Sequence, residues 1–447
     1  MKKHSRSQWL SLMQETEYAL DHSGSMIFLG ALLIGSHLLH SPAYARIVFA
    51  LVLLLCLMPK VVCSFCRMKE QPSSKRPPWF RSMIVGPLRP WHFNSGRLAL
   101  ALKAGLRRAR TMAVMIAVTG ITLLFGALLL STTYALLDQN PEPKATTTPR
   151  LIGNYFITGD HARLPTRSWV PEHRPVKAVI VALHGFNDYS AFFEEPGNYL
   201  THYGIGSYAY DQRGFGGAPK RGSWAGIPIY LHDLSEFVRL IQDRHPGIPI
   251  YLLGESMGAA EIMVALTHRH APPADGIILS APAVWGWKTV PWYQRAALWT
   301  AAHTVPWLRL TGESLHLVPS DNTEMLRALY HDPLVLKETR IGTVYGVADL
   351  MSRASEQVDK MDRLTLVLYG ERDEIIPKAS VYRMLKRAPR NGRWRIAFYE
   401  KGYHLLLRDL EAPRLWQDIA AWIENPAQDL PSGADRRAFA VLSGGRS

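Results

Sequence analysis

The 447-residue chain is 47% hydrophobic and 20% charged, enough apolar residue to bury a core and unlike a disordered or collagen-like composition. Its three cysteines, Cys56, Cys63 and Cys66, fall near the start, which excludes a disulfide scaffold or a thiolate site further on. The net charge of +14 is concentrated: twelve Lys and Arg stand between Pro59 and Thr111 against Glu70 alone, so this stretch holds +11 of it. A basic block between two apolar runs reads as a membrane-flanking loop rather than a nucleic-acid surface, and no nucleic-acid partner is expected.

Residues 1–111 form an N-terminal region in which 26–58 is apolar but interrupted by His37, His40, Pro42 and Arg46. That segment is open between one irregular span, a re-entrant pair and a signal-like stretch. Met112 to Leu130 is nineteen uncharged residues, long enough to cross a hydrocarbon core of about 30 Å, and a transmembrane helix is expected over 112–134. The basic loop before it should stay cytoplasmic, so the chain beyond Ser131 is expected on the periplasmic side of an inner or plasma membrane. The competing reading is a helix that anchors a cytoplasmic enzyme, its basic flank drawn to anionic lipid. Residues 135–150, including DQNPEPKATTTPR, read as a linker.

Short apolar runs follow, at Lys177–Leu183, Gly206–Tyr210, Pro249–Leu253, Gly276–Leu279, Leu364–Tyr369 and Trp394–Tyr399. Most are separated by helical stretches such as Tyr230–Asp243, Ala259–His268 and Glu411–Ile423, a pattern that predicts an α/β fold with a mostly parallel sheet wrapped by helices. Such a sheet places ligands at the carboxyl ends of its strands.

Gly254-Glu255-Ser256-Met257-Gly258 joins a strand to a helix, the Gly-x-Ser-x-Gly elbow that exposes a strained serine, so Ser256 is the expected nucleophile. A serine needs a base, and the base an orienting acid. Downstream, two strands end in Gly370-Glu371-Arg372-Asp373-Glu374 and Glu400-Lys401-Gly402-Tyr403-His404. Among seventeen histidines, His404 is singled out by its place at a strand end beside that of Asp373; Asp373 is the expected acid, with Glu371 and Glu374 as rivals. The oxyanion donors are expected to be the backbone N–H groups of Met257, after the nucleophile, and of Phe186, in the loop His184-Gly185-Phe186-Asn187. Asp211 to Gly216 reads as a charged turn that buttresses the site and takes no catalytic part.

The runs VALHGFNDYS, YAYDQRGFG, YLLGESMGAA, LYGERDEIIP and KGYHLLLRD occur in an order that resembles an α/β-hydrolase. The resemblance is to the bacterial lysophospholipase and monoacylglycerol lipase-like group that overlaps the serine aminopeptidase (S33-type) sequence family. It covers residues 151–425, leaving 426–447 as an expected flexible tail. Asn187, where many relatives have glycine, and Ala259 depart from the family pattern. The resemblance implies a helical cap over the pocket at about 283–360, which contains Trp285, Trp287, Trp292, Trp299 and Trp307. Trp285, Trp287 and Trp292 are the expected substrate-binding residues, lining an acyl slot or resting at a lipid interface; packing of the cap onto the core is the equal alternative.

The resemblance implies a membrane-anchored serine hydrolase that cleaves esters of single-chain lipids through an acyl-enzyme, with the bilayer and a lipid or small ester as partners. No metal or organic cofactor is expected. A short-chain carboxylesterase and an S33-type aminopeptidase are alternatives, the latter needing a cap acid for which Glu313 and Glu324 are available. A non-enzymatic binding module is the third possibility.

Overall fold

In the computed structural model, residues 145–311 and 317–444 are described, together with helical positions at Met115, 118–120, Thr122 and Gly126. The chain divides into two units, Met1–Leu136 and Leu137–Ser447. The expected span at 112–134, apart from those few positions, and the segment 26–58 lie outside the described residues. Among the described residues no helix is long and apolar enough to cross a membrane.

The second unit opens with β1 (Arg150–Ile152), β2 (Tyr155–Ile157) and β3 (Arg163–Trp169), then β4 (Ala178–Leu183), α1 (Glu194–Thr201) and β5 (Ile205–Tyr210). It continues through α2 (Ile227–Arg244), β6 (Ile250–Glu255), α3 (Met257–Ala265) and β7 (Gly276–Ser280). After β7 come α4 (Trp292–Thr304), β8 (Arg309–Thr311), α5 (Thr323–His331), β9 (Glu338–Arg340) and α6 (Ile341–Gln357). The fold closes with β10 (Leu364–Gly370), α7 (Lys378–Arg387), β11 (Trp394–Tyr399), α8 (Ala412–Glu424) and α9 (Ala434–Ser443).

Nine strands form one sheet in the order β1-β2-β3-β5-β4-β6-β7-β10-β11. The six from β5 to β11 are parallel and match the six apolar runs of the sequence; β1, β2 and β3 add an antiparallel edge through Thr166 opposite Tyr210. Strand β4 shows why a continuous apolar run is needed, since all six of its residues are buried. Val179, Val181 and Leu183 pack on one face with residues of α2 and α3, while Ala178, Ile180 and Ala182 pack on the other with residues of α1 and α8. Every residue of α3 is buried, Glu261 included, so this helix sits inside the molecule.

The C-terminal stretch departs from the expected flexible tail. Residues 434–443 form α9, with Leu430, Ala434 and Ala438 buried and Arg395 of the edge strand β11 paired to Asp435 at 2.6 Å. Small side chains allow this helix to approach the sheet closely, so it covers an edge that would otherwise stand open.

Candidate active site

Strand β6 runs into α3 through Ser256, whose φ of +52° lies in the left-handed region. The neighbouring glycines make the turn possible: a Cβ on Gly254 would stand 2.3 Å from the Ala259 nitrogen, and one on Gly258 would stand 2.4 Å from the Leu183 carbonyl oxygen. The strands that carry the acid and the base are crossed as tightly. A Cβ on Gly370 would lie 2.4 Å from the carbonyl oxygens of Gly402 and Tyr403, and Arg372 N–H donates to the Gly402 carbonyl at 2.9 Å.

These turns bring Ser256, His404 and Asp373 into one hydrogen-bonded line. Ser256 Oγ is 2.9 Å from His404 Nε2, and His404 Nδ1 is 2.8 Å from Asp373 Oδ2. A carboxylate can only accept, so Nδ1 carries the proton and Nε2 is free to accept from the serine hydroxyl. Asp373 is held from its other side by the N–H groups of Ile375 and Ile376, at 2.8 and 3.0 Å on Oδ1. Its side chain is wholly buried. The rival acids go elsewhere: Glu371 pairs with Arg437 at 2.8 Å, and Glu374 accepts from Val318 N–H at 2.9 Å.

The two expected oxyanion donors are free to act, since neither Phe186 N–H nor Met257 N–H is spent on a hydrogen bond among the described residues. A Cβ on Gly185 would lie 3.5 Å from Ser256 Cβ, so the Gly185–Phe186 peptide passes beside the nucleophile. The carbonyl of that peptide points away, accepting from Asp188 N–H at 3.3 Å and from His184 Nδ1 at 2.8 Å. The donor role of His184 Nδ1 follows from its other nitrogen, which accepts from Gln212 N–H at 3.0 Å. Burial pushes the His184 pKa down, keeping the ring neutral in that tautomer. Asp211 accepts from Ser190 N–H at 3.0 Å and Gly217 N–H at 2.8 Å, while Arg213 is locked between Asp160 and Asp233, which is the buttress the sequence suggested.

A second, buried set of charges surrounds the line and was not read from the sequence. Arg408 donates to Asp188 at 2.6 Å and to Glu255 at 3.0 Å, joining the oxyanion loop, the residue before the nucleophile and the segment after His404. Burial pushes the Glu255 carboxyl up, and the nearby guanidinium pulls it back. The available signal was an arginine closing the apolar run Leu405-Leu406-Leu407 and a glutamate ending a buried strand, each requiring a partner.

Of the three expected substrate-binding tryptophans, one packs within the insertion and two are exposed. Trp287 packs against Tyr345, ring centroids 5.6 Å apart, and donates its backbone N–H to Ser352, both within the 283–360 insertion. Trp292 is 74% exposed at the start of α4, and Trp285 is also exposed. Helix α4 buries Ala302 alone, so Trp292 at its start has no core to enter. Glu324 is exposed on α5, and Glu313 lies outside the described residues.

Among the described residues, His232, Asp233 and Glu236 on α2 form the one group that could hold a metal. Asp233 spends both oxygens on Arg213, and Glu236 gives one to Gly159 N–H, so the set is a poor cage.

The sheet, the strained elbow and the Ser–His–Asp line define a serine hydrolase of the α/β-hydrolase fold. The chain belongs to the serine aminopeptidase S33 family, whose sequence signature matches residues 174–411. It is 24% identical to Homo sapiens monoglyceride lipase over 275 residues, 60% of this chain and 89% of the relative. It is 25% identical to Mycolicibacterium smegmatis monoacylglycerol lipase over 263 residues, 57% of this chain and 90% of the relative. A soluble variant of Saccharomyces cerevisiae monoglyceride lipase, solved with a substrate analog, shares the fold with a TM-score of 0.52 and 19% identity, covering 64% of this chain and 97% of that one.

Proposed function

We propose that this serine hydrolase cleaves carboxylic esters of single-chain glycerolipids, of the monoacylglycerol type, at a membrane surface. The observation that carries the reading is the line Ser256 Oγ–His404 Nε2 at 2.9 Å and His404 Nδ1–Asp373 at 2.8 Å. As Ser256 Oγ attacks the ester carbonyl carbon, its proton passes to His404 Nε2 and the carbonyl oxygen becomes an oxyanion facing the Phe186 and Met257 N–H groups. Collapse expels the alcohol oxygen, which takes the proton from His404. Water then attacks the acyl-enzyme, giving its proton to His404, and the second collapse returns that proton to Ser256 as the fatty acid leaves. Asp373 holds the ring in the tautomer this needs and stabilises the imidazolium.

The lipid substrate is supported by the similarity to monoglyceride lipases of several organisms and by the exposed Trp292, Tyr293, Trp307 and Leu308, which suit an apolar surface. Membrane anchoring through 112–134, with the hydrolase on the periplasmic side, is supported by the basic loop and the uncharged run that follows it.

The experiment is a substrate panel on the full chain in mild detergent: a long-chain monoacylglycerol, a lysophospholipid, an acetyl ester and a proline-terminated peptide amide. The monoacylglycerol should give the highest kcat/KM. A profile led by the acetyl ester would replace the lipid reading with a short-chain esterase, and one led by the peptide amide would replace it with an aminopeptidase.

A further inference from the structure

We propose that Asn187 is a positioning residue that couples the oxyanion donor of Phe186 to the 283–360 cap. The inference rests on the serine-hydrolase reading above and concerns how the same site is regulated.

Gly185 to Asp188 is a tight turn closed by Asp188 N–H on the Gly185 carbonyl at 3.3 Å. Its third residue, Asn187, has φ of +65°, while Phe186 before it stays outside the left-handed region. That is the pattern of a type II turn, whose third position prefers glycine and tolerates asparagine next best. The turn fixes the plane of the Gly185–Phe186 peptide, and hence where the Phe186 N–H points. A side chain at this pivot is conformationally unfavourable compared with glycine.

The side chain is used, however, and it is used on the cap. Asn187 Nδ2 donates to Thr339 Oγ1 of β9 at 2.8 Å, and the Asn187 carbonyl accepts from Leu336 N–H at 3.0 Å. Two residues further along, Tyr189 Oη donates to Asp332 at 2.7 Å. The opposite side of the loop is fixed to the core, through Asp188 on Arg408 and Gly185 on His184. The turn that aims the oxyanion donor is therefore held between the core and β9, and Asn187 is the member that reaches across. Thr339 belongs to a two-stranded ribbon with β8, Leu310 opposite Thr339, which runs directly into α6.

A cap displaced from its seat withdraws both bonds from Asn187, and the turn loses the anchors that fix its third residue. A cap that is seated restores them. Binding energy gained by a substrate against the cap is then expressed as a correctly aimed N–H in the transition state, so it raises kcat rather than only lowering KM.

The test compares Asn187→Gly, Thr339→Val, their double variant and Thr339→Ser in the full chain. Asn187→Gly keeps the left-handed turn and removes only the amide, so it folds on the same backbone; thermal midpoints check this for all four. The readouts are kcat and KM on a monoacylglycerol, and inhibition by an alkyl trifluoromethyl ketone, which forms an oxyanion on Ser256, against the matching alcohol, which does not. Both single variants should lose about tenfold or more in kcat and in ketone affinity, with KM and alcohol affinity unchanged. The double variant should be no worse than either single, and Thr339→Ser should stay near wild type. The coupling is overturned if the singles leave kcat and ketone affinity intact, if their losses multiply in the double variant, or if ketone and alcohol weaken together. Wild-type protein that fails to react with the ketone or with a fluorophosphonate would instead overturn the serine-hydrolase reading beneath it.

Discussion

Arg408 and Glu255 meet at 3.0 Å in the interior, one residue before the nucleophile, and Asp188 shares the same guanidinium at 2.6 Å. Two buried carboxylates around one arginine cannot all keep their charge once the arginine goes, because each has left water for a site of low polarisability. Arg408→Met should cost about 3–5 kcal/mol in denaturant unfolding at neutral pH. The loss should shrink as the pH falls, since the unpaired carboxyls of the folded variant have raised pKa values and bind protons first.

The choice of acid is tested by substitution. Asp373→Asn leaves a side chain of the same shape that can stabilise the wrong imidazole tautomer, and kcat should fall by about 10³–10⁴-fold with little change in stability. Glu371→Gln breaks the pair with Arg437 at 2.8 Å but touches neither His404 nor Ser256. Its steady-state kcat should remain within about twofold of wild type, because the half-buried pair lies outside the Ser256–His404–Asp373 line.

Asp409 gives a pH dependence of folding. Its carboxylate accepts from Ser320 Oγ at 2.6 Å and from Tyr403 N–H at 2.7 Å, next to the His404 loop, and burial pushes its pKa up to about 6 from 3.8. A folded-state pKa above the unfolded one means the neutral acid is favoured by folding: that stability is fully present below the unfolded value and is lost as the pH rises through about 6. The thermal midpoint of wild type, measured against Asp409→Asn from pH 4 to pH 8, should fall by several degrees relative to the variant across this window. A flat difference would mean the carboxyl titrates at its ordinary value in the folded state.

The exposed rings of α4 separate interfacial from monomeric turnover. Trp292 is 74% exposed and takes no part in the Ser256–His404–Asp373 line, so Trp292→Ala should leave hydrolysis of a dissolved acetyl ester unchanged. On monoacylglycerol dispersed in vesicles the same variant should lose several-fold in rate, and vesicle co-sedimentation should fall in parallel.

The sequence and the structure agree where local chemistry is decisive. Six strands were legible because burial on both faces demands unbroken apolar runs, and Ser256 and His404 because they occupy strand-end loops with a recognisable turn. Strands β1 to β3 were not legible: two have three residues, and RLPTRSW alternates poorly, with Pro165 inside it and three of its seven residues exposed. Helix α9 escaped notice because its buried positions are alanines, too small to mark an apolar stripe. Partners such as Arg408 and Asp188, 220 positions apart, become neighbours only through the crossing of loops, and nothing local announces the pairing. The exposure of Trp285 and Trp292 was not legible either, since a cluster in sequence carries no information about which way each ring faces.

The central claim is that Ser256 is a nucleophile activated by His404. A fluorophosphonate probe reacts with such a serine and with few others, so the direct measurement is labelling of the full chain followed by mapping of the modified peptide. The adduct should fall on Ser256, disappear in Ser256→Ala, and form at least a hundredfold more slowly in His404→Ala, on the order of what a general base contributes. Labelling that persists in Ser256→Ala, or that proceeds at the wild-type rate without His404, would contradict the account.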